Sequence, residues 1–217
     1  MLKRIAWIFG AVAFFGLYVS YQIILGFLMS TKFMNYGMSL LLVSYGASIC
    51  LIALLMAYRL KLFDLDFSFI KQRLPLLLIC YASVYFVNVL GTIIMHFEGV
   101  ETASNQAMVE SLFSSVPIPV LFVMIVVMAP IMEEILVRGI VPHLIFKRGS
   151  ILGYIAGTIL FAALHQPDSI GAWVVYGGMS IILTTVAYKT KHLEASWLLH
   201  TIMNSFSFIL LSLFHLF

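Results

Sequence analysis

Long unbroken apolar runs alternate with short polar interruptions along the whole chain. The runs cover residues 5–29, 36–58, 74–97, 116–146, 151–164, 170–188 and 195–217. They are continuous rather than alternating, so they do not read as strands of a barrel. In hydrocarbon every backbone N–H and C=O must be satisfied internally, which leaves helices. The pattern therefore predicts an all-α, polytopic transmembrane helix bundle of about seven spans. The fourth run has 31 residues, which at about 1.5 Å per residue exceeds a ~30 Å hydrocarbon core. It must tilt, kink or emerge, and a break at Pro130 or Pro142 makes eight spans. Pro130, three residues before Glu133, is the expected kink, freeing backbone groups beside the carboxylates.

The first run follows Lys3-Arg4, as a signal peptide would. It is much longer than the about 7–15 residues of a signal h-region and lacks a clear A-x-A site, so it reads as a retained span. Residues 98–115 form the longest polar stretch, with Glu98, Glu101 and Glu110 and no basic residue.

Composition supports the membrane reading. The chain is 63% apolar and only 10% charged, against about 25% charged in soluble domains. Cys50 and Cys80 both lie inside apolar runs and read as small buried hydrophobes. A net charge of +3 is no nucleic-acid signal, and the partner that the long apolar runs imply is the lipid bilayer. Threading seven spans from a cytoplasmic N-terminus puts ten Lys and Arg side chains inside, Lys147 and Arg148 among them. Lys32 is left outside and Arg138 within the membrane. That asymmetry predicts a multi-pass cell-membrane protein with its N-terminus in the cytoplasm.

Against this background Glu133-Glu134-Ile135-Leu136-Val137-Arg138 stands out, because ionisable groups inside a span are expensive and mark function by default. Glu134 and Arg138, four apart, can pair. Glu133 is rotated about 100° away and is free to face elsewhere. Two further polar pairs follow, Phe161-x-x-x-His165 and His200-x-x-x-Asn204. With straight helices Glu133 and His165 lie ~21 Å from the cytoplasmic edge, Asn204 ~18 Å and His200 ~12 Å. Three helices thus deliver polar side chains to one middle layer. A carboxylate held away from bulk water serves as a general base, and His and Asn N–H groups can hold a developing oxyanion. Two His and a carboxylate are also a zinc set, although no H-E-x-x-H is present.

Together the three motifs resemble the CAAX-protease and bacteriocin-processing family of intramembrane proteases, called CPBP or Abi proteins. The family pattern is E-E-x-x-x-R, F-x-x-x-H and H-x-x-x-N. The resemblance covers residues from about 115 to 217, which divides the chain into N-terminal transmembrane helices, 1–114, and a catalytic core, 115–217. It implies a glutamate-dependent endopeptidase in which Glu133 and His165 activate water, His200 and Asn204 hold the oxyanion, and Glu134 and Arg138 form a supporting pair. It also implies a peptide or membrane-protein substrate and no required cofactor. In the metal-dependent alternative Glu133, His165 and His200 would bind zinc. A catalytically silent bacteriocin-immunity or scaffold protein and a proton-coupled transporter are the other classes considered. The depth of the motifs leads to an expectation that substrates arrive through the membrane or from the cytoplasmic face.

Overall fold

The computed structural model describes residues 2–64, 67–146 and 149–216, with side chains for 5–64, 67–146 and 149–214. Lys147 and Arg148, used above in the charge count, lie outside the described residues, as do the side chains of Lys3, Arg4 and His215.

The described residues form a bundle of helices with no strand: α1 (Leu2–Ser30), α2 (Tyr36–Arg59), α3 (Phe69–Phe97), α4 (Ser104–Phe113), α5 (Ile118–Ile145), α6 (Ile151–Leu164), α7 (Ile170–Thr190) and α8 (Leu193–Leu216). All but α4 and α6 are long and apolar enough to cross a membrane. Of the about seven expected spans, six are such helices, and the fifth apolar run forms the short α6, whose 14 residues rise only about 21 Å. The polar stretch after α3 holds the short helix α4. Side-chain caps start two of the spans. Asn35 accepts the Met38 N–H at 2.9 Å and Ser169 accepts the Ala172 N–H at 3.1 Å, each satisfying a donor the first turn leaves over.

Helix α5 is the axis of the bundle. Its most apolar stretch is 72% buried, against 22–39% for the other long spans. It runs unbroken through both interior prolines by loosening rather than stopping. Residues Phe122–Met128 and Ile135–Ile145 take π-helical hydrogen bonding, with an α-helical segment, Ala129–Glu134, between them. In the first π segment the Ala129 N–H bonds Met124 O, five residues back. The next residue, Pro130, has no N–H to continue that register, so the Ile125 carbonyl is released. Asn204 of α8 takes it up, donating from Nδ2 at 2.9 Å. In the second segment Phe146 N–H bonds Val141 O, again five back. By the same count Pro142 releases the Val137 carbonyl. That oxygen faces Gly157 of α6, where any Cβ would collide with it. Gly153, one turn earlier, backs onto Pro142, whose Cα would lie 2.6 Å from an added Cβ. The Gly153-x-x-x-Gly157 spacing thus brings α6 close against α5.

A second close crossing joins α3 and α7. A Cβ on Gly171 would lie 2.5 Å from Gly91 O. The Glu98 carboxylate at the end of α3 accepts the Ile170 and Gly171 N–H groups, each at 3.0 Å. A carboxylate at these orphan donors is favourable, and it fixes the start of α7 beside the end of α3. Both cysteines are free and buried.

Candidate functional site

The segment Ala129–Glu134 presents its two glutamates in different directions, as the 100° rotation requires. Glu134 turns into the core and is fully buried. It accepts from Arg138 Nη1 at 2.8 Å, the pair expected from the spacing. Arg138 is itself buried, and three more of its donors are used. Nη2 reaches Ser180 Oγ at 2.8 Å and Ser180 O at 3.1 Å, while Nε reaches Thr184 Oγ1 at 3.3 Å. Its guanidinium lies 4.4 Å from the centre of the Phe161 ring. One cation therefore ties α5 to α6 and α7. Thr158 completes the tie, its hydroxyl 2.8 Å from that of Thr184 and its carbonyl accepting from Ser180.

His200 Nδ1 lies 3.0 Å from the same Glu134 oxygen that Arg138 holds. A carboxylate paired with Arg can only accept, so Nδ1 carries the proton. Nε2, at the far side of the ring, then bears the lone pair of a neutral imidazole. It sits 4.0 Å from Glu133 Oε2, too far for a direct hydrogen bond.

Glu133 faces away from the ion pair. Its Oε2 is buried with no hydrogen-bond partner, while Oε1 receives the Tyr18 hydroxyl of α1 at 3.5 Å. Glu133 lines a cavity of about 700 Å³, together with Tyr18, His165, His200 and Asn204. The cavity extends from this layer to Glu101, Asn105 and Glu110 in the 98–115 stretch. That stretch lies at the end of the bundle opposite Arg59, Lys71 and Lys189, so of the two expected approaches, through the membrane or from the basic, cytoplasmic end, the cavity among the described residues does not extend toward the second.

His165 closes α6. Its Nδ1 donates to Phe161 O at 2.8 Å, and its ring stacks on Tyr176 with centroids 4.6 Å apart. The carbonyl selects the Nδ1–H form and leaves Nε2 as an acceptor, as Glu134 does for His200. Asn204 spends one amide hydrogen on Ile125 O and keeps a second. All four residues proposed for chemistry thus border one cavity, and Glu134 and Arg138 lie beneath it.

Two His whose Nδ1–H is anchored, beside a carboxylate, are chemically suited to zinc. The spacing is not. The ligand atoms of Glu133, His165 and His200 do not all come within 4.8 Å of one another. Among the described residues only Asp64, His192 and Glu194 do so. That trio lies at the other end of the bundle, where Glu194 accepts the Asp64 N–H at 2.6 Å.

Tyr18, Tyr176, Ser180 and Thr184 also line or brace the site and lie outside the three motifs. Ser180 and Thr184 carried a usable signal, being two hydroxyls four apart on an apolar helix. Tyr18 carried none, since it is one aromatic among many in a span that reads as generic.

This arrangement is that of a polytopic helical membrane protein with glutamate and histidine side chains on the wall of one cavity. Residues 115–206 match the model of the family described as type II CAAX prenyl endopeptidase Rce1-like. The likeness to the CAAX-protease family is thereby shown over that segment. The chain is also similar to the UPF0177 protein YvdC of Lactococcus lactis subsp. lactis (strain IL1403). The two are 27% identical over 135 residues, covering 62% of this chain and 51% of that protein. The chain spans about half the length of that relative. No solved structure matches the chain.

Proposed function

We propose that this protein is an intramembrane endopeptidase that hydrolyses peptide bonds with a glutamate-activated water. The carrying observation is the pair Glu133 Oε2 and His200 Nε2, 4.0 Å apart on the wall of the cavity. Groups at that separation are bridged by water more readily than by each other.

In this reading Glu133 takes a proton from the water and the resulting hydroxide adds to the peptide carbonyl carbon. The tetrahedral oxyanion is met by the second amide N–H of Asn204. Glu133 then passes its proton to the departing amine nitrogen, and the C–N bond breaks to give an acid and an amine. His165 Nε2, an acceptor, helps orient the water. His200 Nε2 does the same when neutral and donates to the oxyanion only when the ring carries a second proton. Glu134 and Arg138 hold His200 in place. Residues 115–217 form the catalytic core, and residues 1–114 add Tyr18 and the outer wall. The charge asymmetry supports a cytoplasmic N-terminus, which puts the cavity mouth on the opposite side.

The test is cleavage of membrane-linked peptides by purified protein, with and without a strong chelator, beside Glu133→Gln and His165→Ala. Losing a general base costs about 10²–10⁴-fold, so both variants should fall at least a hundredfold while chelator has no effect. Activity retained in both variants overturns the site. Activity lost in chelator replaces the metal-free mechanism with the zinc one. A wild type that cleaves nothing, with a biological effect that survives Glu133→Gln, makes the protein a silent immunity or scaffold factor.

A further inference from the structure

The cavity that holds Glu133 is uniform in charge and unusual in composition. Its charged lining residues outside the catalytic layer are Glu101 and Glu110, and no Lys or Arg lines it among the described residues. Between Arg73 and Arg138 the chain has no basic residue other than His96. Glu98 and Asp168 stand at the same end of the bundle, where Lys32 is the single Lys or Arg. The apolar wall is equally distinctive: six of the chain's twelve methionines line it, Met29, Met95, Met108, Met124, Met179 and Met203. Methionine is unbranched and polarizable, so a methionine wall repacks around apolar side chains of different shapes.

Acidic groups at the mouth and an adaptable apolar wall below select one kind of guest. We propose that the substrate is an amphipathic, cationic peptide segment whose Lys or Arg side chains engage Glu101 and Glu110 while its apolar residues lie on the methionine wall. This rests on the peptidase reading above and names its substrate class. Apolar burial supplies most of the affinity, and the carboxylates supply orientation and the rejection of acidic segments.

The geometry also sets the register. Phe113 of α4 packs on Phe208 of α8, ring centroids 5.5 Å apart. Phe208 is one helical turn beyond Asn204, ~6 Å along the axis. Glu110 lies a further turn along α4 from Phe113, half-buried and held by Gln106 Nε2 at 2.9 Å. An extended peptide rises ~3.3 Å per residue, so the basic residue falls about two to five residues from the scissile bond.

The experiment uses full-length protein in neutral-lipid vesicles. The probes are synthetic peptides with one apolar core flanked by Lys, Ala or Glu at each of these positions. Cleavage is read by mass spectrometry and binding by fluorescence anisotropy. The Lys peptide should be cleaved on the order of tenfold faster than the Glu peptide, with the preference shrinking as salt is raised. The preference should fall to about one in Glu101→Gln/Glu110→Gln and invert in Glu101→Lys/Glu110→Lys. Equal cleavage of Lys and Glu peptides, or a preference that persists in the double Gln variant, overturns the inference and leaves the peptidase standing. Charge-selective binding without cleavage does the reverse. Absence of saturable binding by any peptide also overturns the inference.

Discussion

His200 Nδ1 and Arg138 Nη1 converge on the same oxygen of Glu134, at 3.0 and 2.8 Å. One buried carboxylate therefore pairs the buried arginine and sets the tautomer of the histidine that faces the cavity. The two glutamates are adjacent in sequence yet do unlike work, because a 100° turn sends one to the core and the other to the cavity.

Glu134→Gln is expected to damage the fold, not just the chemistry. It leaves Arg138 buried without its counter-charge, a loss that costs about 3–5 kcal/mol for a broken buried pair. Glu133→Gln, which only borders the cavity, should change stability by less than about 1 kcal/mol. Unfolding in detergent, followed by circular dichroism, separates the two. Equal destabilisation would contradict the division of labour.

Tyr18→Phe tests whether the first helix belongs to the site. Tyr18 is buried and points its hydroxyl at Glu133 Oε1. Losing one hydrogen bond to a charged group costs about 1.5–3 kcal/mol at most here, given the 3.5 Å separation. We expect kcat to fall several-fold and KM to hold, because the hydroxyl orients Glu133. A change in KM alone would make Tyr18 a wall residue.

Gly157→Ala should be severe for a single methyl. The added Cβ meets the Val137 carbonyl, backbone that cannot move aside without parting α5 from α6. Overpacking of this kind costs about 1–3 kcal/mol or more, and it displaces Phe161 and His165 from the cavity. Gly177→Ala is the control, since an added Cβ there meets nothing within 4 Å. Thermal unfolding of the two variants provides the comparison.

Asn204→Leu removes the partner of the Ile125 carbonyl that Pro130 released. An unsatisfied buried acceptor costs about 1–3 kcal/mol. Adding Pro130→Ala restores an N–H next to that carbonyl, so the pair should recover stability without recovering peptidase activity. Additive losses in the double-mutant cycle would disprove the link between the proline and the asparagine.

The Ser104 hydroxyl donates to Asp168, holding its carboxyl below the ordinary carboxylate range. A lowered folded value means that the contact is present above the unfolded value, about 3.9, and is lost as pH falls through the folded one. Hydrogen exchange over residues 104–113 should therefore stay slow at neutral pH and quicken only below about pH 3.9. In Asp168→Asn that acid dependence should vanish.

Much of this molecule was legible in its sequence, for local reasons. Apolar runs of span length dictate membrane helices because backbone groups have no other partners in hydrocarbon. Four-residue spacings place Glu134 over Arg138 and His200 near Asn204, because such pairs share one helical face. The glycine pair at 153 and 157 announces a close crossing. Other relationships depend on helices far apart in the chain and had no local signature. Tyr18 meets Glu133 across 115 positions. His200 turns its Nδ1 to Glu134, so its free nitrogen is an acceptor unless the ring is charged. The prolines of α5 loosen the helix instead of breaking it: Asn204 of α8 takes up the Ile125 carbonyl, and Gly157 of α6 leaves room for that of Val137. The cavity runs to the acidic end because α4 folds over the tops of α5 and α8. Local spacing determines which side chains share a helix face, whereas packing between distant helices decides which faces meet and where water and substrate can enter.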